Sequence, residues 1–107
     1  MSSFEVEYIP LAAKDLAKLD NSQARQVRTL IERVAINPLP KSEGGYGEPL
    51  GHKQGLNLTG LLKIKLKRLG IRVVYQVVRE GDIMRVIVVA ARADNEVYEI
   101  AAKRVSL

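Results

Sequence analysis

The sequence has no cysteine and no tryptophan, and it has a single histidine. The lack of cysteine excludes a disulfide scaffold, a thiolate metal site and a cysteine nucleophile. Because His52 is the only histidine, no site built from two or more histidines can form within one chain. These absences exclude much of the usual catalytic chemistry of small enzymes.

Long apolar segments are missing as well. No run approaches the ~18 apolar residues that a membrane-spanning helix requires. The N-terminal residues MSSFEVEY do not have the basic-then-apolar pattern of a secretion signal. We therefore expect a cytoplasmic protein with no membrane partner.

The chain has 107 residues, of which 47% are apolar and 27% are charged. This length is typical of one domain, and the composition is that of an ordinary globular protein rather than a disordered one. We predict a single domain over residues 1–107, and a two-domain enzyme is excluded.

The formal net charge of +5 is distributed unevenly. Residues 1–60 contain seven basic and seven acidic residues, whereas residues 61–107 contain ten basic and five acidic residues. A localised basic excess is typical of proteins that bind polyanions, most often nucleic acid, because neutralising phosphates releases counterions. A basic surface that serves only solubility is the alternative, and charge alone does not decide between the two.

The first part of the chain has the pattern of a strand followed by two helices. Apolar and acidic residues alternate over residues 4–9, which predicts a half-buried strand. Pro10 suits the first turn of a helix, and Asp20 with Gln23 has the spacing of a capping box for a second helix. Pro38 ends that helix. Two amphipathic helices with a short connection indicate an αα-hairpin.

The last part of the chain has the pattern of three strands and a helix. Residues 61–67, 71–79 and 84–91 are rich in β-branched or alternating apolar residues. Asp94 is a candidate N-cap for the final helix. The predicted fold class is α+β, with the N-terminal strand and αα-hairpin packed on an antiparallel β meander and a C-terminal helix, all helices on one face.

Between these parts, residues 38–60 hold three prolines and six glycines. A connection of this length is uncommon in a compact domain and tends to be functional or mobile. The segment lacks a Walker-type phosphate-binding sequence and a nucleophile elbow, which argues against nucleotide binding and a Ser-His-Asp triad. His52 is interpreted as a solvated loop residue, and the role of the glycine-rich part, residues 41–60, stays open.

A row of cations accompanies the predicted strands. Lys63, Lys65 and Lys67 share one face of the first strand, and Arg72 lies on its neighbour across the turn. The alternatives are a solvated outer face or a lysine-rich edge that resists aggregation. Arg92, at the end of the third strand, and Tyr98, one to two helical turns later, favour a binding site. We then expect one phosphate-sized surface to gather four of these cations and a phenol, namely Lys63, Lys65, Arg72, Arg92 and Tyr98.

Such a set of residues can cleave RNA without a metal ion or histidine. Attack of a ribose 2′-OH on the adjacent phosphorus needs in-line placement, stabilisation of charge on the non-bridging oxygens and proton transfer to the leaving oxygen. Arginine and lysine stabilise that charge, and crowding by other cations lowers the pKa of a lysine toward the range of acid–base catalysis. A tyrosine can stack on a base, orient a nucleophile or exchange a proton.

At these residues the sequence resembles the RelE family of bacterial toxins, within the RelE/ParE superfamily of toxin–antitoxin systems. The N-terminal strand and αα-hairpin match its architecture more loosely. The matching residues, in order, are LKIKL at 62–66, GIRVVYQV at 70–77, Arg92, EVY at 96–98 and AKR at 102–104. Each element is common by itself, and the ordered combination is specific.

The resemblance implies a toxin that cleaves mRNA in the ribosomal A site. By similarity, Lys63 and Lys65 lie near the scissile phosphate, Arg72 stabilises the transition state, Arg92 contacts phosphate and takes part in proton transfer, and Tyr98 orients the nucleotide. The acid and base are not assigned: Lys63 or Tyr98 as base and Lys65 or Arg92 as acid all remain open. Lys67 and Arg68 are further candidates for binding RNA or the ribosome, and no cofactor or metal is expected.

The resemblance also implies partners. A cognate antitoxin, acidic and partly disordered, would inhibit the toxin, and the ribosome with its mRNA would be the target. Operator DNA is a further candidate partner of the toxin–antitoxin complex. Two alternatives are retained: a ParE-like toxin that inhibits DNA gyrase, and a non-catalytic basic module that binds nucleic acid or the ribosome.

Overall fold

The computed structural model describes residues 3–53 and 55–106. Three helices and five strands make up most of this part of the chain. In chain order they are β1 (Glu5–Tyr8), α1 (Pro10–Ala17), α2 (Asn21–Val34), β2 (Glu48–Lys53), β3 (Leu56–Leu66), β4 (Ile71–Val78), β5 (Ile83–Ala90) and α3 (Asp94–Val105). The predicted α+β class is confirmed.

The five strands form one sheet in the order β1-β5-β4-β3-β2. Strands β2 to β5 are an antiparallel meander, as predicted, and β1 joins β5 in parallel. Pro10 is at the start of α1, and the carboxylate of Asp20 accepts a hydrogen bond of 2.8 Å from the backbone N–H of Gln23. The sequence signals for the αα-hairpin therefore hold in the structure.

Helices cover both faces of the sheet, so the prediction that all helices lie on one face is wrong. Helices α1 and α2 pack on the face that carries Val73 and Tyr75, and α3 packs on the face that carries Val74 and Val88. Neighbouring residues of a strand point to opposite faces, and the central strands are apolar on both. A sheet of this composition needs a cover on each side.

The predicted loop over residues 38–60 is also corrected. Most of it is β2 and the first half of β3, which form an antiparallel hairpin at one edge of the sheet. Pro49 fits there because an edge strand has backbone positions that need no ladder hydrogen bond. Gly51 has a φ of 58° where the register shifts, a conformation that favours glycine. Prolines and glycines here indicate an edge strand with a bulge.

The start of α3 differs from the prediction by one residue. Ala93 is the N-cap and has no side-chain capping bond, and Asp94 is the first helical residue. The Asp94 carboxylate instead contacts cations of the sheet, as described below. Among the described residues, no helix is long and apolar enough to cross a membrane.

A shielded ion pair ties α3 to α1 across the sheet. Beyond Val86, strand β5 has no further pairing with β1. The Asp15 carboxylate accepts hydrogen bonds from the backbone N–H of Val89 (3.0 Å) and from Arg104 (2.6 Å). Arg104 also donates to the carbonyl of Ile87 at 2.8 Å. The pair thus satisfies backbone groups of β5 and anchors the C-terminal half of α3.

We expect Asp15→Ala to lower the free energy of unfolding by about 3 kcal/mol, because it leaves the Arg104 guanidinium and a backbone N–H without their partner. The side chains of this pair are only 13% and 14% exposed. Urea denaturation followed by circular dichroism measures the change.

The matched control is Glu7→Ala. Glu7 pairs with Arg85 at 2.7 Å, but that carboxylate is 48% exposed, so the expected loss is below about 1 kcal/mol. Equal losses for the two variants would contradict an anchoring role for Asp15.

Candidate functional site

The strand register brings the predicted cations to one end of the sheet. Lys65 on β3 lies opposite Arg72 on β4, which lies opposite Ala90 on β5. Lys63 is two residues before Lys65 and therefore points to the same face of the sheet. That face is the one covered by α3, which supplies Tyr98.

Lys63 is the most enclosed of these cations, with a side chain only 10% exposed. Its Nζ donates a hydrogen bond of 3.0 Å to the phenol oxygen of Tyr98. It also lies 3.4 Å from a carboxylate oxygen of Glu48 and 3.5 Å from one of Asp94. One ammonium group therefore joins β2, β3 and α3.

Asp94 connects Lys63 to Arg72. Its second carboxylate oxygen accepts a hydrogen bond of 2.7 Å from Nε of Arg72. Nη1 of Arg72 donates to the backbone carbonyls of Gly70 (2.9 Å) and Arg92 (2.7 Å). The guanidinium is thus held in one orientation at the point where β5 leads into α3.

The electrostatics of Lys63 differ from the expectation for crowded cations. Burial by itself lowers the pKa of Lys63, but the hydrogen bond with Tyr98 and the charges of Asp94 and Glu48 outweigh it, so that the pKa is raised above 10.5. The expected lowering is wrong for this lysine, because carboxylates rather than other cations are its nearest charged neighbours.

The pKa of Asp94 moves in the opposite direction. Partial burial raises the pKa of this carboxyl, but the hydrogen bond from Arg72 and the charge of Lys63 outweigh burial and lower it below 3.8. Asp94 is therefore ionised, and Lys63 protonated, over the whole neutral range. The Asp94 carboxylate thus lies between two cations, Arg72 and Lys63.

The other two predicted cations are more accessible. Lys65 is exposed and forms no ion pair with any residue in ranges 3–53 and 55–106. The Arg92 backbone is fixed by Arg72, while its exposed side chain is free of hydrogen bonds to the described residues. Arg92 borders a depression of about 330 Å³ beside α1, with Lys18 and Arg104. The structure thus joins Lys63 to Tyr98 directly and to Arg72 through Asp94, with Lys65 in the adjacent position and Arg92 at the margin.

The two further candidates for RNA binding, Lys67 and Arg68, lie in different surroundings. Lys67 is exposed and follows Lys65 toward the open edge of β3. Arg68 turns toward α2, where its Nη2 donates to the amide oxygen of Gln26 at 3.0 Å. It borders a second depression, of about 250 Å³, together with Arg25 and Arg33.

Two acidic members of the site are absent from the sequence-based prediction. Asp94 could have been found, because it precedes Tyr98 by four residues and so shares its face of α3. Glu48 had no such signal, since its pairing with Lys63 depends on β2, in a segment predicted as loop. His52 lies exposed on the same strand. In the described part of the chain, no group of three or more His, Cys, Asp or Glu side chains is placed to hold a metal.

Comparison with known proteins identifies relatives over nearly the whole chain. The family model of the ParE toxin of type II toxin–antitoxin systems matches residues 6–96. A RelE-like toxin protein of Escherichia coli is 30% identical over 104 residues, which are 94% of this chain and 96% of the relative. The mRNA interferase toxin RelE of Escherichia coli strain K12 is 29% identical over 103 residues, covering 96% and 98%.

Solved structures agree with these relatives. A mutant of Escherichia coli toxin RelE in the free state has a TM-score of 0.75 and 28% identity, covering 97% of this chain and 99% of that one. The same mutant in complex with a peptide of the antitoxin RelB has a TM-score of 0.68 and 27% identity, covering 96% and 98%. The chain belongs to the RelE family of the RelE/ParE superfamily and is a toxin of the type II toxin–antitoxin class.

Proposed function

We propose that the protein is an endoribonuclease that cleaves mRNA in the ribosomal A site by attack of a ribose 2′-OH on the adjacent phosphorus. The observation that carries this proposal is the cluster of Lys63, Arg72 and Tyr98, bridged by one carboxylate and adjacent to the unpaired Lys65. The name of the relative from strain K12, an mRNA interferase, supports it.

The geometry suggests how the cluster acts on RNA. Oxygens of the scissile phosphate replace the Asp94 carboxylate between Arg72 and Lys63, which are then the cations that stabilise the pentacovalent transition state. Asp94 is 42% exposed whereas its partners are 17% and 10% exposed, so the carboxylate is the member that can swing away. No cofactor or metal takes part in this scheme.

The raised pKa of Lys63 bears on proton transfer. A lysine that stays protonated at neutral pH is a cation and hydrogen-bond donor, and it is poorly suited to act as a general base. Because Lys63 Nζ donates to the Tyr98 oxygen, the phenol hydrogen is left for another acceptor. Tyr98 is therefore the better candidate to contact the attacking 2′-OH, with Lys65 or Arg92 near the leaving oxygen.

A cognate antitoxin is the proposed inhibitory partner. A relative forms a complex with a peptide of its antitoxin. The basic surface here favours an acidic segment, partly disordered when free, that folds over the cations and excludes RNA. We propose that toxin and antitoxin meet in the cytoplasm, where ribosomes are the target, and that their complex binds operator DNA.

Inhibition of DNA gyrase is the second candidate function. The observation in its favour is the match of residues 6–96 to the ParE toxin model. The cationic cluster with its tyrosine favours the ribonuclease instead. A supercoiling assay with purified gyrase tests the alternative directly.

We expect Arg92→Ala and Tyr98→Phe each to lower mRNA cleavage by about 100-fold or more. Arg92→Ala removes a cation proposed to contact phosphate, and Tyr98→Phe removes a hydroxyl that also accepts a hydrogen bond from Lys63. Primer extension on mRNA after induction in cells measures the cuts, and circular dichroism tests the fold. Arg79→Ala, which removes an exposed arginine paired only with Glu43, is the control and should cleave like wild type. Growth arrest by both site variants would contradict the proposed site.

Cleavage by 2′-OH attack should leave a 2′,3′-cyclic phosphate on the upstream fragment and a 5′-hydroxyl on the downstream one. Treatment with polynucleotide kinase, which removes cyclic phosphates and labels 5′-hydroxyls, distinguishes these ends. The reaction should survive EDTA once ribosome integrity is controlled for. A 3′-hydroxyl product would exclude the mechanism.

If Lys63 acts as a cation, Lys63→Arg should keep part of the activity, whereas Lys63→Met should lose about 100-fold or more. Because the pKa of Lys63 is raised, its protonation does not change between about pH 6 and about pH 9, and no ionisation of Lys63 should appear in the rate profile. Single-turnover cleavage over this range is the measurement. Equal inactivation by both substitutions would instead favour Lys63 as the general base.

A further inference from the structure

The segment between α2 and β2 holds a turn closed by backbone hydrogen bonds. The backbone N–H of Tyr46 donates to the carbonyl of Asn37 at 3.1 Å, and that of Gly47 donates to Leu39 at 3.1 Å. The backbone N–H of Lys41 donates to the carbonyl of Gly47 at 2.9 Å. Two ends of the turn are thereby held together by main-chain hydrogen bonds.

The two glycines beside Tyr46 are required by close packing. A Cβ at Gly45 would collide with the carbonyl of Leu39, and a Cβ at Gly47 would collide with the phenol oxygen of Tyr75. That phenol is buried and donates a hydrogen bond of 2.7 Å to the carbonyl of Pro38. The backbone is therefore anchored on both sides of Tyr46 against the protein core.

Tyr46 itself projects from this anchored backbone into solvent. It is 54% exposed, and its hydroxyl makes no hydrogen bond to a described residue. An exposed tyrosine on an anchored backbone presents an aromatic face on which a planar group such as a nucleotide base can stack. Its position has no evident role in the stability of the fold.

Beside Tyr46 runs a groove of about 390 Å³ along the open edge of β3. Strand β2 begins at Glu48 opposite Lys63, and within the described residues the following part of β3 has no strand on that side. The groove has an apolar floor that includes Leu30 and Ile64. Its size lies within the ~300–1,000 Å³ range of small-ligand sites, which leaves room for a nucleotide.

The walls of the groove are strongly basic. Lys41, Lys65 and Lys67 line it, all three are exposed, and none of them forms an ion pair within residues 3–53 and 55–106. Lys63 and Glu48, which belong to the candidate active site, form its end. The groove is therefore a continuation of the candidate active site. Its three exposed lysines carry positive charge that no carboxylate among the described residues neutralises.

We propose that this groove binds the RNA strand next to the scissile phosphate. One base stacks on Tyr46, and the phosphates of the strand contact Lys41, Lys65 and Lys67. The proposal rests on the proposed ribonuclease function. Single-stranded RNA combines unstacked bases with a chain of phosphates, and an exposed aromatic among lysines is the surface that binds both. Because any base can stack on a tyrosine ring, the groove positions the RNA strand without selecting its sequence.

The test measures binding of a fluorescein-labelled decanucleotide RNA with 2′-O-methyl riboses, which 2′-OH attack cannot cleave, by fluorescence anisotropy. Tyr46→Ala should weaken binding about tenfold, the effect of losing one stacked base, whereas Tyr46→Phe should stay within about twofold of wild type. Lys41→Ala should reduce the slope of log Kd against log salt by about 0.7, as for one lost phosphate contact.

The controls are matched in exposure. Ile36→Ala removes an apolar side chain that is also 54% exposed but lies outside the groove, and Lys53→Ala removes an exposed lysine of β2. Both should bind RNA like wild type. Equal weakening by Tyr46→Ala and Ile36→Ala would overturn the proposal. So would a Tyr46→Ala variant that binds RNA normally and fails only to bind the antitoxin, since the groove would then take a peptide.

The RNA-binding measurement does not depend on catalysis, so the groove and the ribonuclease activity are tested separately. Binding that depends on Tyr46 in a protein that makes no cuts in mRNA would uphold the groove and refute the ribonuclease. Normal binding by Tyr46→Ala, in a protein whose wild type cleaves mRNA, would refute the groove alone.

Discussion

The position of α3 on the sheet is the constraint on which the candidate site depends. Its first residue, Asp94, bonds Arg72 and approaches Lys63, while Arg104 near its end is locked to Asp15 of α1. Between these anchors, buried residues such as Val97 press the helix onto β3, β4 and β5. These contacts together hold α3 where Tyr98 meets Lys63, and they include an ion pair remote from the site.

The site is built from opposite charges. Four cations close together would repel one another, and Asp94 and Glu48 relieve that repulsion at Lys63 and Arg72. Lys65 and Arg92 have no such partner among the described residues. In the proposed mechanism, RNA displaces the Asp94 carboxylate, and these two accessible cations make the first contacts with phosphate.

Strands β3, β4 and β5 could be predicted because alternation and β-branched residues mark them, and α2 because its cap and periodicity agree. Strand β2 could not, since its proline and glycines have the composition of a loop and only pairing with β3 makes it a strand. The cover on both faces was missed although β4 is apolar except at Arg72 and Gln76. A local sequence pattern identifies a strand or a helix. Which face of the sheet a helix covers depends instead on contacts between residues far apart in sequence.

The sequence by itself determined the family, the α+β class and the identities of Lys63, Lys65, Arg72, Arg92 and Tyr98 as candidates. These follow from local patterns and from ordered motifs, which need no tertiary information. Only the tertiary structure decided which of these side chains touch, that Tyr98 together with Asp94 and Glu48 holds the pKa of Lys63 above its usual range, and that Tyr46 stands beside a basic groove. The physical reason is that distances between side chains on different elements, and hence their charges and hydrogen bonds, arise only when the strands and helices pack.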